Sequence, residues 1–512
     1  MPALLVALLL PLLLLLFFSR QKQAGRKYPR SLPSLPIIGS LLSLYNSEHP
    51  HLILRDLQKK YGSTFSLWMG SQYTVVINHH LPAKEVLLKK GKDFAGRPSL
   101  VTTNILSQDG KDIAFSNFGP MWKQQRKLVQ SAFAMFKDGS LHVEKIVNQQ
   151  AAFLCKLLAE RQGTSFDFSR EIFLVVSNVV SHLCFNSCFE LGDPELDQLL
   201  MNSEHIINTI AKDSLVDIFP WLRVFPNKEL RLLKKSVEIR NKLLKKRFKD
   251  HQEKFSSESI VDLLDVLLRA KMNMDNNNSR MPQEPSMTDD HVIMTIGDIF
   301  GAGVETTSSV LKWFIAFLLH YPQVKKKIQE EIDRKIGFSR TPALSDRNQL
   351  IYLEASIREI LRIRPVTPLL IPHIAMKDSS IGEYTIHKGT RIMINIWSLH
   401  HDEMEWRNPD RFEPDRFLDK KGEQLISPSS SYLPFGTGPR VCLGESLARI
   451  ELFLFLAWIL QRFDFEVPEN GEKPNLEGKT GVVYQVLPFQ VVVKLRKGWM
   501  AQSGGRPRET LR

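Results

Sequence analysis

One cysteine of this sequence lies in surroundings that suit metal binding. Cys442 follows Gly436 and Gly438 and precedes Gly444, and the residues from Glu445 onward show a helical pattern. Glycines allow a tight loop with exposed backbone, and the N–H groups at the start of a helix favour a thiolate. The other cysteines lie in helical patterns and form no CxxC pair. We therefore predict that Cys442 is a ligand for a soft metal.

A second candidate site interrupts a long apolar helical pattern over residues 289–319. Small residues occupy positions 301–303, and Glu305 and Thr306 follow them. Small side chains let a flat group approach the helix. Alternatively, the glycines serve helix packing and the Thr306 hydroxyl donates back to a carbonyl of its own helix.

Two further pairs have helical spacing. Glu359 and Arg362 lie three residues apart on one helical face, a spacing usually found in solvated salt bridges. Trp122 and Arg126 lie one turn apart, so their side chains point the same way. Neither pair identifies a function by itself.

At the cysteine loop the sequence resembles the cytochrome P-450 superfamily. The run 435–444 completes the pattern F-x-x-G-x-R-x-C-x-G, and the other motifs occur in the order that this family has. The resemblance covers essentially the whole chain. It implies a mainly α fold with small β-sheets, the cytochrome P-450 fold, preceded by an N-terminal membrane anchor helix. It also implies haem b with Cys442 as the iron ligand, and O2 as co-substrate.

The resemblance further implies roles for individual residues. Thr306, with Glu305 and Asp298, would deliver protons to dioxygen. Glu359 and Arg362 would form a buried ion-pair triad with Arg416. The haem carboxylates would be bound by side chains that suit carboxylates, namely Arg97, Trp122, Arg126, His373 and Arg440.

Longer runs at 89–98, 296–307 and 362–366 look like those of family members that hydroxylate C21 steroids. That similarity implies pregnenolone and progesterone as substrates, hydroxylation at C17 and 17,20-lyase cleavage to androgens. The family places an amide against the A-ring oxygen of the steroid; Asn202 and Ser203 are both candidates, and Ser203 holds the matching position. The apolar pocket would be lined by Phe115, Ala302, Val366, Ile371, Val482 and Val483.

Electrons must come from another protein, because the chain has no GxGxxG nucleotide-binding turn. The resemblance implies NADPH-cytochrome P-450 reductase and cytochrome b5 as partners on the side of the cysteine loop. Arg358 directly precedes Glu359 and points about 100° away from it, so it is free to face outward. The candidate partner-binding residues are Lys89, Lys90, Arg347, Arg358 and Arg449.

The net charge of +13 does not by itself indicate a nucleic-acid partner, because it is concentrated at the two ends of the chain. Residues 1–30 carry five basic residues and no acid, and residues 494–512 carry six basic residues against one acid. The body is therefore nearly balanced, which favours a membrane surface over nucleic acid as the partner. The four cysteines form no recognisable disulfide or zinc framework.

The domain organisation follows from hydropathy and composition. The apolar run 3–18 precedes the basic residues, which predicts a single-pass anchor in the endoplasmic reticulum membrane with a cytosolic body. The predicted units are an anchor over 1–19, a basic and proline-rich linker over 20–40 that acts as a semi-rigid spacer, a haem-thiolate monooxygenase domain over 41–496, and a basic flexible tail over 497–512.

Hydrophobic periodicity predicts the main elements. A polar stretch over 273–288 is predicted to be an exposed loop. Helices are predicted over 142–160, 227–250, 260–271, 289–319, 322–335 and 349–363, and strands over 65–70, 73–77, 391–394 and 489–493.

Other functions remain open at this point. A 21-hydroxylase or a broad xenobiotic monooxygenase would differ only in its pocket lining. A noncatalytic haem-binding protein would keep the haem but form no product. A membrane-tethered scaffold without haem is also compatible with the composition.

Overall fold

A computed structural model describes residues 27–44, 48–138, 140–210, 214–278 and 287–499. These residues are mainly helical with small sheets, as predicted. The helices are α1 (Pro50–Tyr61), α2 (His80–Lys84), α3 (Val101–Ser107), α4 (Pro120–Asp138), α5 (Ser140–Glu160), α6 (Ser169–Phe185), α7 (Pro194–Thr209), α8 (Leu215–Ile218), α9 (Lys228–Gln252), α10 (Leu263–Asn278), α11 (Asp289–His320), α12 (Pro322–Lys335), α13 (Ile351–Ile363), α14 (Ile396–His400) and α15 (Glu445–Arg462).

The strands form three small sheets. The largest has the order β1-β2-β3-β8-β5, in which β2 is antiparallel to β3 and β8 is parallel to β3. A second sheet has the order β4-β10-β9, and β6 pairs with β7. The strands are β1 (Arg30–Ser31), β2 (Thr64–Met69), β3 (Gln72–Ile77), β4 (Ser165–Phe166), β5 (His373–Ile374), β6 (Ser379–Ile381), β7 (Tyr384–Ile386), β8 (Arg391–Ile394), β9 (Phe463–Glu466) and β10 (Val491–Leu495).

Helix α11 runs through the core. Residues 313–319, near its C-terminal end, are apolar on all sides, a pattern typical of a helix covered by protein all round. Trp313, Phe314 and Phe317 are completely or almost completely buried, in one hydrophobic cluster with Phe453 and Phe455 of α15. Within the described residues α11 is the helix long and apolar enough to cross a membrane, but 72% of its most apolar window is buried, so it is a core helix. The predicted anchor over 1–19 lies outside the described residues.

The described part of the predicted linker is more than a spacer. Strand β1 pairs in parallel with β2, and the Leu32 N–H donates to the Ser66 carbonyl at 2.9 Å. Leu32 is buried against Leu54 and Phe65. The expectation of a semi-rigid spacer up to residue 40 is therefore wrong for this part, because an apolar side chain between the prolines joins the core.

Two predicted elements also have different boundaries. Helix α10 continues to Asn278, well into the predicted loop over 273–288, because extending a helix that is already packed costs far less than nucleating one. Strand β10 lies two residues later than predicted. Most of the predicted tail, from residue 500 onward, lies outside the described residues; before it, the Arg462 guanidinium stacks on Trp499.

The structure brings Glu359, Arg362 and Arg416 together. The carboxylate of Glu359 accepts two hydrogen bonds from Arg362, at 2.7 and 2.8 Å, and one from Arg416 at 3.1 Å. Glu359 and Arg362 are fully buried. Arg362 also donates to the carbonyls of His400 and Arg411. The triad thus joins α13 to the chain segments that follow α14.

We expect the substitution Arg362→Met to lower the free energy of unfolding by about 3–5 kcal/mol, because it leaves the Glu359 carboxylate buried without its bidentate partner. The exposed pair of Lys27 and Glu383, 2.7 Å apart, provides the control, and Lys27→Met should leave the free energy of unfolding nearly unchanged, because solvent screens this pair. Urea unfolding followed by circular dichroism measures both. Equal small losses would show that the triad contributes no more than a surface pair.

Candidate functional site

The Cys442 loop is shaped by close packing and by the start of a helix. Gly438 has φ +78°, and a Cβ at this position would collide with the backbone carbonyl of Leu87. The Cys442 N–H donates to the Phe435 carbonyl at 3.0 Å, which closes the loop. Helix α15 begins three residues after the cysteine. The loop thus holds Cys442 at a helix N-terminus, as the sequence pattern predicts.

The environment of the Cys442 sulfur combines opposing effects. Burial raises the pKa of the thiol, whereas hydrogen bonds from the backbone N–H groups of Gly444 and Glu445 lower it. The side chain nevertheless keeps exposed surface.

Three arginines lie near this loop and are held by backbone carbonyls. Arg97 donates to the carbonyls of Ala114 and Ile371 at 2.9 and 2.8 Å. Arg440 donates to the carbonyls of Ala95 and Ser116, at 2.8 Å in each case, and Arg126 donates to the carbonyl of Val441. None of the three forms an ion pair with an acid among the described residues.

The positive charge of this cluster is therefore uncompensated. Burial, together with repulsion from Arg97 and Arg126, lowers the pKa of Arg440 to about 8, and burial lowers the pKa of Arg97 to about 9. The nearby carboxyl of Asp112 offers little relief, because burial and the charge of Asp298 raise its own pKa well above the usual range. An anionic group with more than one carboxylate would offset the repulsion.

His373 lies in the same region. It is buried, and its Nδ1 is 2.7 Å from the carbonyl oxygen of Phe94. Burial and the charge of Arg97 lower the pKa of His373 well below its usual value, so the imidazole is neutral. A neutral imidazole with Nδ1 bonded to a carbonyl carries its proton there, which leaves Nε2 as an acceptor.

Trp122 meets the cluster differently from the sequence expectation. Its indole N–H donates to the Ile113 carbonyl at 2.9 Å, and the Arg440 guanidinium stacks 4.2 Å above its ring. The indole N–H is therefore engaged within the chain and does not face outward toward a carboxylate. Trp122 therefore acts on the site indirectly, by positioning the guanidinium of Arg440.

The donor set fits haem. Cys442 would hold the iron through its sulfur, and Arg97, Arg126 and Arg440 would bind the two haem carboxylates. On α11 a Cβ at Gly301 would meet no atom within 4 Å, and Ala302 is exposed although its helix runs through the core, so this face can accept a flat ring. Leu443 and Ile299 pack against the same cluster as Trp122, which places loop and helix on either side of one space.

Glu305 and Thr306 lie on α11 next to that face. The Thr306 hydroxyl donates to the Ala302 carbonyl at 2.7 Å, as the packing alternative expects, while its side chain stays exposed. Burial raises the pKa of Glu305 to about 7, and a hydrogen bond from Ser203 acts in the opposite direction. Glu305 can therefore both hold and release a proton near neutral pH.

Asp298 serves a different local purpose. Its carboxylate accepts hydrogen bonds from the backbone N–H groups of Ile113 and Ala114 at 2.8 and 2.9 Å. Thr306 lies eight residues further on, about 12 Å along the helix axis. Asp298 thus orders the loop that carries the carbonyl partners of Arg97 and Trp122, and its predicted part in proton delivery stays a prediction.

An apolar cavity lies between α7, α9 and α11. Phe300, Gly301, Ile206 and Leu244 contribute to its walls, and its polar members are Glu195, Asn202, Ser203, Arg240 and Arg247. Arg240 was missed in the sequence, although a basic residue three positions after Val237 and four before Leu244 lies on an otherwise apolar stripe. A basic residue at such a position is the sequence feature that could have identified Arg240 as part of the site.

Asn202 and Ser203 have different surroundings. Asn202 is buried, and its Nδ2 has no hydrogen-bond partner within the described chain. The Ser203 hydroxyl is engaged by Glu305. The expectation that Ser203 takes the position of the steroid-binding amide is not favoured, because Asn202 carries the donor that lacks a partner.

The apolar residues predicted to line the pocket lie in other parts of the structure than the cavity between α7, α9 and α11. None of them is among the described residues that line this cavity. Phe115 and Val482 pack against the cluster of Ile206, while the Val366 and Ile371 carbonyls accept from the Tyr484 N–H and from Arg97. Val483 is buried, and Ala302 accepts from Thr306.

The predicted partner-binding residues are mostly paired. Arg347 forms two hydrogen bonds with the buried Glu354, at 2.8 and 3.0 Å, and Arg358 lies 3.8 Å from the same carboxylate. Arg358 also donates to the Ile426 carbonyl, so its guanidinium is engaged within the chain. Glu354 lies one helical turn before Arg358 on α13. The others are Arg449, paired with Glu445, Lys90, paired with Glu85, and Lys89, which is exposed.

The family model of cytochrome P450 matches residues 29–493 of this chain. The chain therefore belongs to the cytochrome P450 family, as its motifs predict. Members of this family are monooxygenases that use haem and O2 and receive electrons from a redox partner.

Similar proteins share one name. A steroid 17-alpha-hydroxylase/17,20 lyase of Rana dybowskii is 59% identical over 473 residues, which cover 92% of this chain and 91% of that protein. The protein of the same name from Macaca fascicularis is 55% identical over 503 residues, covering 98% and 99%. A solved structure of a zebra fish cytochrome P450 with progesterone has a TM-score of 0.78 at 43% identity and covers 87% of this chain and 99% of that chain.

We expect the substitution Cys442→His to abolish the strongly red-shifted Soret band of the reduced carbonyl complex, because that band requires a thiolate ligand. Absorption spectra of wild-type and variant protein at equal haem content measure it. Cys188→Ser is the control, since this exposed cysteine lies beyond the end of α6 and should leave the band unchanged. A variant that keeps the band would contradict the assignment of Cys442.

We expect Thr306→Ala to retain haem and steroid binding but to release more hydrogen peroxide per electron pair consumed, because the hydroxyl that positions protons is lost. Thr306→Ser keeps a hydroxyl and should behave like the wild type. Reductant consumption, peroxide and hydroxylated steroid are measured together. Unchanged coupling in Thr306→Ala would rule out this role.

Proposed function

We propose that this protein hydroxylates C21 steroids, pregnenolone and progesterone, at C17 and cleaves the 17,20 bond to give androgens. The names of its relatives at 55–59% identity support this assignment. So does its similarity to a zebra fish cytochrome P450 with progesterone.

The observation that carries the proposal is the polar end of the apolar cavity. Asn202 offers an amide N–H without a partner, beside Arg240, in a space otherwise lined by side chains such as Phe300 and Leu244. A steroid is a rigid apolar body with an oxygen at its A-ring end. An N–H donor at one end of the cavity would hold that oxygen, and the apolar walls would exclude water.

The catalytic end lies along α11. Gly301 lines the cavity, and Thr306 follows one to two turns further along the helix. Anchoring the A-ring at Asn202 therefore directs the opposite end of the steroid toward Thr306. Positioning of this kind, more than steroid reactivity, selects the carbon that reacts.

Haem, when bound at Cys442, would supply the activation of O2 that hydroxylates an unactivated C–H bond. Each hydroxylation consumes one O2, two electrons and two protons, and forms one alcohol and one water. Glu305, with a pKa of about 7, and the Thr306 hydroxyl are the groups placed to deliver protons. Arg97, Arg126 and Arg440 would bind and orient the haem carboxylates, whereas the neutral His373, whose Nδ1 is engaged by Phe94, has no donor left for them.

The electron donors would be NADPH-cytochrome P-450 reductase and cytochrome b5. Arg347 and Arg358 share the single carboxylate of Glu354, so this pair keeps an excess positive charge, whereas Arg449 and Lys90 are each matched by one acid. An acidic partner would therefore be attracted mainly to the Arg347–Arg358 pair and to Lys89. The apolar run 3–18 would anchor the cytosolic body to the endoplasmic reticulum membrane.

The decisive experiment supplies progesterone or pregnenolone together with the reductase, with and without cytochrome b5, and analyses the products. We expect C17-hydroxylated steroid in both cases and more cleavage product when cytochrome b5 is present. The variant Arg358→Gln should lose cleavage several-fold while hydroxylation changes less than about two-fold, with a stronger effect at low salt. Removal of charge is used because a carboxylate here would face Glu354.

The matched control is Arg170→Gln, an exposed arginine on α6 that pairs with Asp197. It should leave both activities unchanged. Hydroxylation at C21, or of unrelated compounds only, would contradict the proposed reaction, and haem binding without product would indicate a noncatalytic protein. An equal fall of both activities in Arg358→Gln would contradict a specific role in cytochrome b5 binding.

A further inference from the structure

A histidine and two aspartates meet where α9 ends and α10 begins, away from the haem site. His251 lies in the last turn of α9, Asp262 directly precedes α10, and Asp265 lies in its first turn. Nε2 of His251 is 2.8 Å from Oδ1 of Asp265 and 3.4 Å from Oδ1 of Asp262. One ligand atom from each of the three side chains lies within 4.8 Å of the other two.

Both carboxylates are shielded from water. Asp262 is 0% exposed and Asp265 is 3% exposed. Within the described part of the chain, their ion pairs are with His251 and with no lysine or arginine. Oδ2 of Asp262 is buried and accepts no hydrogen bond. Since buried carboxylate oxygens nearly always have partners, this oxygen indicates a ligand that the chain does not supply.

Helix capping accounts for only part of the arrangement. Oδ1 of Asp262 accepts from the Asp265 N–H at 3.0 Å, and Oδ2 of Asp265 accepts from the Val261 N–H at 2.9 Å. These two bonds cap α10 and require neither His251 nor Oδ2 of Asp262.

We propose that His251, Asp262 and Asp265 bind Zn²⁺, with water as the fourth ligand. A neutral imidazole and two carboxylates carry the charge that balances a divalent cation, and nitrogen and carboxylate oxygen are ligands that zinc accepts at about 2.0–2.2 Å. Ligand atoms of a tetrahedral zinc site lie about 3.3 Å apart, close to the His251–Asp262 separation of 3.4 Å. The shorter His251–Asp265 contact would open slightly when the ion replaces the shared proton.

The site would connect two helices on the cavity side. Helix α9 supplies Arg240 and Leu244 to the apolar cavity, and it ends at the proposed zinc ligand His251. A metal ion that binds only the folded arrangement stabilises it in proportion to occupancy. Zinc would thus restrain the wall of the cavity from its far end. This inference does not depend on which steroid reaction the protein catalyses.

The test uses full-length, haem-loaded protein treated with a chelator and then dialysed against Zn²⁺ alone, with bound zinc measured by atomic emission. Asp262→Asn keeps a good helix cap and His251→Gln keeps a hydrogen-bond donor, so both should fold. We expect one site of micromolar or better affinity in the wild type, weakened at least about ten-fold in each variant. His387→Gln, which alters a more exposed His–Asp pair 3.5 Å apart, is the control and should bind like the wild type.

A second measurement separates this site from zinc bound elsewhere. Hydrogen exchange of the backbone amides over residues 250–266 should slow on addition of zinc in the wild type and in His387→Gln, but not in Asp262→Asn or His251→Gln. Wild-type affinity in either site variant, or no slowing of exchange in the wild type at about 100 μM free zinc, would overturn the proposal.

Discussion

Uncompensated positive charge beside a cysteine loop is the constraint on which the site depends. Arg97, Arg126 and Arg440 are held by backbone carbonyls and meet no carboxylate within the described residues. The carbonyls belong to four segments of the chain, so binding the arginines also fixes the segments around residues 95, 114, 371 and 441. Their mutual repulsion is tolerable only because an anionic group can share the space, and this explains why haem and fold belong together in the cytochrome P450 family.

Helix α11 satisfies two opposed requirements. Its residues 313–319 form an apolar core segment, and aromatic residues such as Trp313 pack it against α15. Gly301 has no side chain and Ala302 has only a methyl group, so a flat group can reach the backbone there. The buried Glu305 follows directly, and the low polarity that packing creates is what raises the pKa of this acid to about 7. The close packing of α11 therefore also produces the raised pKa on which proton transfer by Glu305 would depend.

The apolar cavity contains one buried polar group that has no partner among the described residues. Asn202 has a donor without a partner, while Ser203 is engaged by Glu305. The same reasoning identifies the cluster at the start of α10, where Oδ2 of Asp262 lacks a partner. Among the described residues that were predicted to bind a partner the situation is reversed. Arg449 and Lys90 each pair with one acid, and Arg347 and Arg358 compete for the carboxylate of Glu354, so less unpaired positive charge remains than the residue types suggest.

The sequence by itself determined features that depend on neighbouring residues. The glycines around Cys442, the helical periodicity over 289–319 and the order of the motifs identified the family, the main elements and the metal ligand expected for it. Local spacing is sufficient there, because a loop or a helix is formed by residues close in the chain. The pairing of Glu359 with Arg362 was also predictable from local spacing, because the two residues lie three apart on one helix.

Only the tertiary structure decided which partner each polar group meets. It engaged the Trp122 indole with Ile113, placed Asp298 under the loop at Ala114, and paired Arg358 with Glu354. It also drew Leu32 of the predicted linker into the core. These outcomes depend on contacts between residues far apart in the chain, and a hydrogen bond or ion pair is sensitive to distances of less than 1 Å, which no sequence pattern specifies.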